Sequence, residues 1–137
     1  LLERGGDPAL RDAGGCTALM HAANHGPSSD GAEARRLLIK RGGQSVVNAR
    51  NNEGMSSLML ACRAKNGPLV LELLEGGADP CLRDASGWTA LMYATARSHS
   101  RGDMAVLRAL VHGGGAIDAR NEEGRTALWL ACRQGDT

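Results

Sequence analysis

The feature that most constrains this chain is that it repeats itself. Four phrases align: Asp12-Ala-Gly-Gly15-Cys-Thr-Ala-Leu19-Met, Asn51-Asn-Glu-Gly54-Met-Ser-Ser-Leu58-Met, Asp84-Ala-Ser-Gly87-Trp-Thr-Ala-Leu91-Met and Asn121-Glu-Glu-Gly124-Arg-Thr-Ala-Leu128-Trp. Their first residues are separated by 39, 33 and 37 positions. A second phrase precedes each of them. Leu1 to Arg11 matches Leu73 to Arg83 almost position for position, and looser copies run from Leu38 to Arg50 and from Leu110 to Arg120. A period of this length marks a stack of identical supersecondary units, because one such unit cannot bury its apolar face alone.

Each phrase has a mechanical reading. Asp or Asn followed three places later by Gly is turn chemistry: a short side chain that bonds nearby backbone, and a residue free to take positive φ. Thr or Ser two places after that Gly (Thr17, Ser56, Thr89, Thr126) predicts a helix N-cap. A short Ala/Leu-rich helix follows, then a loop, then a second helix. Its doubled apolar face, as in Leu69-Val70 with Leu73-Leu74, has the i, i+4 spacing of a core-facing stripe. Gly42, Gly77 and Gly114 are expected to end the second helices. The unit is therefore turn, helix, loop, helix, and the chain is all-α.

These phrases resemble the ankyrin repeat, whose pattern joins a Thr-Pro-Leu-His-x-Ala core to a Gly-Ala-Asp-x-Asn finger. The resemblance covers essentially the whole chain and implies a solenoid of stacked helix-turn-helix units with β-turn fingers. The proline of the pattern is replaced by Ala18, Ser57, Ala90 and Ala127, and the histidine by Met20, Met59, Met92 and Trp129. In the family that histidine links neighbouring repeats by hydrogen bonds, so the replacements are expected to make the junction apolar.

We read residues 1–137 as one array. Residues 1–11 form a partial repeat, 12–50, 51–83 and 84–120 form full ones, and 121–137 a partial one. Both ends carry apolar helix faces, which leads to the expectation of a piece cut from a longer chain. The first unit has an inserted loop at 24–31 and an enlarged finger at 43–47, and the third an inserted loop at 97–102. Surface loops absorb such insertions cheaply because closure entropy grows slowly with length.

Composition narrows the function. No run approaches the ~18 apolar residues of a membrane-spanning helix, so membrane insertion is not expected. The net charge of +1 is no signature of a nucleic-acid binder. Its make-up is informative, however, with fourteen Arg against two Lys; Arg favours planar, bidentate contacts to carboxylate or phosphate. The four cysteines (Cys16, Cys62, Cys81, Cys132) form no C-x-x-C pair and have no histidine at zinc-like spacing. No metal or cofactor is expected, and free thiols fit a reducing, intracellular compartment, cytoplasmic or nuclear. A phosphate loop is absent and the four histidines are scattered, so no catalytic residues are expected and the chain is read as a non-enzyme.

The resemblance implies that a partner docks on the concave face made by finger tips and first helices. The candidate positions are Met55, Glu53, Trp88 and Arg125 in the turns, with Arg63 and Arg97 along the first helices. Trp88 stands at a turn position that faces outward in the family, and a large aromatic there is a typical interface anchor. Arg11, Arg50, Arg83 and Arg120 each precede a turn Asp or Asn, so stacking places them in a column. Two expectations follow. Either the column is an open basic ridge for an acidic segment, or each Arg is neutralised by Asp12, Asp84, Glu53 or Glu123.

The function expected is a protein–protein interaction module, a scaffold or adaptor. The alternative is a regulatory ligand-sensing arm of a larger enzyme or channel, which takes a phosphorylated or oligonucleotide ligand through Arg and Trp88.

Overall fold

In a computed structural model, residues 10–24, 32–96, 103–114 and 117–135 are described. The inserted loops at 25–31 and 97–102, and with them Arg97, lie outside the described residues. Among the described residues seven helices form: α1 (Ala18–Asn24), α2 (Ala32–Val47), α3 (Ser57–Arg63), α4 (Gly67–Glu75), α5 (Ala90–Ala96), α6 (Asp103–His112) and α7 (Ala127–Gly135). They make two layers. The first helices α1, α3, α5 and α7 pack in series, the second helices α2, α4 and α6 pack in series behind them, and α1, α3 and α5 each pack on the second helix that follows. No strand occurs among the described residues, beyond an isolated bridge between Arg50 and Ser56.

The local chemistry places each helix start. Thr17 Oγ1 accepts from the Met20 amide at 3.3 Å, Ser56 Oγ from Met59 at 3.3 Å, Thr89 Oγ1 from Met92 at 3.3 Å and Thr126 Oγ1 from Trp129 at 3.2 Å. Each cap satisfies one of the amides that a helix start leaves unpaired. At the far end of α4, Gly77 sits at φ 95 while Ala78 N–H donates to Leu73 and Gly77 N–H to Leu74, the paired bonds of a Schellman stop.

The core runs between the two layers. Leu19, Met20, Leu58, Met59 and Met92 from the first helices meet Leu69, Val70, Leu73 and Leu110 from the second, all essentially inaccessible. Of the four residues that replace the histidine of the family pattern, Met20, Met59 and Met92 are buried in this core, whereas Trp129 is 43% exposed.

One element differs from expectation. The regular helix ends at Gly42 as expected, since Gly43 is non-helical (φ 59, ψ −160), but residues beyond this kink form a second short helical stretch to Val47 where an enlarged finger was expected. Burial is the physical reason: Val46 and Val47 are 2% and 0% exposed, and the kink turns both into the core.

Candidate functional site

The fingers are built by one side chain each. Asp12 Oδ1 accepts from the amides of Gly14 and Cys16, Asn51 Oδ1 from Glu53 and Met55, Asp84 Oδ1 from Ser86 and Trp88, and Asn121 Oδ1 from Glu123 and Arg125. All eight bonds measure 2.9–3.0 Å. The fingers are then joined tip to tip: Asn52 N–H donates to Gly14, Ala85 N–H to Glu53 and Glu122 N–H to Ser86, each at 3.0 Å. The finger row is therefore one continuous hydrogen-bonded edge.

The arginine column forms, but with partners that neither expectation names. Arg11 donates through Nη1 to the carbonyl of Arg50 at 2.8 Å, and Arg50 through Nη1 to the carbonyl of Arg83 at 3.2 Å. Arg83 donates through Nη2 to the carbonyl of Arg120 and through Nε to Gly87 at 3.3 Å. The guanidiniums of Arg11, Arg50 and Arg83 thus each hold the next repeat by its backbone, and all four arginines are exposed. The ion pairs found among the described residues, His21–Asp12, Arg35–Glu72 and Arg125–Glu123, leave the column out. A carbonyl takes one or two of the five N–H donors and none of the charge, so the column is stitched yet still cationic.

The neighbouring candidates separate into three groups. Met55 is corrected: it is 2% exposed and packed within the hydrophobic core, which leaves no side-chain surface for a partner. Trp88, expected to stand outward, is half-buried and lies against Tyr93 with ring centroids 4.9 Å apart. Arg63 is half-buried, reaching Met55 Sδ at 3.6 Å and Asn24 Oδ1 at 3.2 Å. Arg125 pairs with Glu123 at 2.9 Å and lies 4.5 Å over the Trp129 ring, which Arg133 approaches at 5.6 Å. Glu53 is exposed.

Sequence reasoning missed Tyr93 and His21. Both stand nine places after a turn Asp, and both donate to its second oxygen: His21 Nε2 lies 2.7 Å from Asp12 Oδ2, and Tyr93 Oη donates to Asp84 Oδ2. Where the turn residue is Asn51 or Asn121, the ninth place is Leu60 or Leu130, both buried. The signal was readable as a paired choice, Asp with a donor and Asn with leucine. The carboxyl of Asp12 is held below its ordinary value of 3.8, first by the Cys16 amide and next by the His21 hydrogen bond. Burial and the bond to Asp84 push the Tyr93 phenol up.

The sequence matches the family described as Ankyrin repeats (3 copies) over residues 1–84 and 64–137. This chain belongs to the ankyrin-repeat family. Ankyrin repeat domain-containing protein 63 of Homo sapiens is 34% identical over 125 residues, covering 88% of this chain and 31% of that protein. SH3 and multiple ankyrin repeat domains protein 2 of Homo sapiens is 33% identical over 136 residues, covering 98% of this chain and 7% of its own length. A putative ankyrin repeat-containing protein of Treponema pallidum is 34% identical over 113 residues, covering 82% and 35%. The chain therefore spans about a third or less of these relatives. Ankyrin repeats serve in general as protein-interaction modules, and no described helix is long and apolar enough to cross a membrane.

Proposed function

We propose that this ankyrin array is a scaffold or adaptor that holds an acidic or mixed-charge segment of another protein along its concave finger and first-helix face. The observation that carries the reading is the column Arg11, Arg50, Arg83 and Arg120: exposed and in register, with the first three guanidiniums bonded to carbonyls that leave their charge uncompensated. Three guanidiniums fixed at one end, with the exposed Arg120 beyond them, retain donors for carboxylates, and the three lose little side-chain freedom on binding. Glu53, Arg63, Arg97 and Arg125 would flank the same face, with Trp88 and Tyr93 as a partly accessible aromatic pair. The repeats that act as units would be 12–50, 51–83 and 84–120, within a longer chain in an intracellular compartment; the free thiols Cys16, Cys62, Cys81 and Cys132 support that compartment. This role calls for no catalytic residue.

The test is capture of an acidic peptide library by the chain and by its Arg50→Glu/Arg83→Glu variant, with the fold checked by circular dichroism. Binding is expected to fall by at least about tenfold in the variant and to weaken with salt. Undiminished capture by a folded variant removes the column from the binding surface. Binding that prefers oligonucleotide or phosphorylated small ligands over acidic peptides selects the ligand-sensing alternative instead.

A further inference from the structure

The finger fold brings three sequence places together. In the third repeat they are Asp84, Trp88 and Tyr93, four and nine places apart, joined by the Trp88 amide on Oδ1, the Tyr93 hydroxyl on Oδ2 and the tilted contact of the two rings. The corresponding places in the second and fourth repeats carry Asn51, Met55 and Leu60, and Asn121, Arg125 and Leu130. In the first described finger they carry Asp12, Cys16 and His21, and one donor atom from each lies within 4.8 Å of the other two. The same scaffold that packs aromatics in one repeat here gathers a carboxylate, a thiol and an imidazole.

We propose that Asp12, Cys16 and His21 form a binding site for a thiophilic divalent cation of the zinc class, with a fourth position open to water or to a ligand from a partner. One sulfur, one imidazole nitrogen and one carboxylate oxygen make a donor set that suits zinc and suits magnesium or calcium poorly. The carboxylate is preorganised: Oδ1 is anchored at 2.9 Å by both the Gly14 and the Cys16 amides, which leaves Oδ2 to face the metal. Asn51 Nδ2 donates to Cys16 Sγ at 3.6 Å from the next finger, an outer-shell contact of the kind that orients a ligand. His21 Nε2 and Asp12 Oδ2 now stand 2.7 Å apart. Tetrahedral bonds to a zinc-sized ion would open that edge to about 3.3 Å, a small rotation for side chains that are about half exposed. On binding, the Cys16 thiol proton passes to solvent, and the neutral imidazole carries its remaining proton on Nδ1 and coordinates through Nε2.

The same three residues could be read as a Cys–His–Asp nucleophile. That reading fails on its oxyanion donors, because the Gly14 and Cys16 amides beside the thiol already serve Asp12 Oδ1. Sequence spacing hid the site, since the three residues belong to no familiar zinc motif and meet only when the finger folds onto α1.

The experiment is titration of the whole chain with Co2+ under chelator-free reducing conditions, followed by displacement with Zn2+. One equivalent is expected to give a sulfur-to-cobalt charge-transfer band together with the intense visible bands of a tetrahedral site, and Zn2+ removes both. Cys16→Ser abolishes the charge-transfer band, while Cys81→Ser/Cys132→Ser leaves it intact. Asp12→Asn and His21→Gln weaken the site by about tenfold or more. Asp12→Asn is the decisive variant, since Asn51 and Asn121 perform the same turn role in their own fingers and the variant is expected to fold. A wild-type chain without the band at excess Co2+, a band that survives Cys16→Ser, or a folded Asp12→Asn protein with unchanged affinity overturns the proposal.

Discussion

Gly54 and Gly124 share a backbone conformation and differ in their surroundings, so one substitution in each separates two costs. Gly54 has φ 77 and Gly124 φ 76, in the left-handed region that costs a residue with a Cβ about 1–2 kcal/mol. The lower entropy of the unfolded Ala chain offsets about 0.4–1 kcal/mol of that loss. Gly124→Ala places its Cβ with nothing of the described chain within 4 Å, so its cost is this backbone term alone, roughly 1 kcal/mol net. Gly54→Ala puts its Cβ 2.9 Å from the Ala85 amide and 3.2 Å from the Asp84 carbonyl carbon. Both are backbone atoms of the next finger, which must move away.

That movement stretches the Ala85-to-Glu53 bond, now 3.0 Å, and forfeits about 0.5–1.5 kcal/mol. Gly54→Ala should therefore destabilise the array by about 1 kcal/mol more than Gly124→Ala. Urea unfolding followed by far-ultraviolet circular dichroism, analysed for both variants against wild type, measures the difference. Equal losses would show that the fingers are not mechanically coupled and would refute the account of a continuous edge.

Other outcomes follow from burial and charge. Leu73 is fully inaccessible between the helix layers, so Leu73→Ala should cost about 2–5 kcal/mol in the same urea assay. Burial pushes the Cys62 thiol up to about 12, whereas Cys81 and Cys132 are exposed; alkylation followed by mass spectrometry should label those two first and Cys62 only on unfolding. Because the folded Asp12 carboxyl lies below its ordinary 3.8, its contribution is complete above that value and is lost as pH falls through the folded value. Thermal unfolding of wild type and Asp12→Asn should accordingly converge as the solution is acidified, and a gap that widens toward low pH contradicts the assignment.

Within single repeats, the sequence alone was enough. The turn Asp or Asn bonds amides two and four places ahead, the Thr or Ser cap bonds an amide three ahead, and Gly77 stops its helix within one turn. All of these act within a few residues, so residue type and spacing determine them, and with them the all-α repeat. Residues 43–47 are the exception. There Val46 and Val47 enter the core on a short helical stretch beyond the kink at Gly43, a burial that the finger pattern did not show.

The candidate surface was decided between repeats. An arginine column could be predicted from its period, but only the stacked structure shows each guanidinium reaching a carbonyl 33–39 residues away instead of a nearby carboxylate. Period cannot say whether the place after the turn glycine points outward, and stacking buries Met55 there and half-buries Trp88 against Tyr93. The meeting of Asp12, Cys16 and His21 has the same origin: spacing in sequence lists the donors, while the fold of the finger over the first helix sets the distances between them.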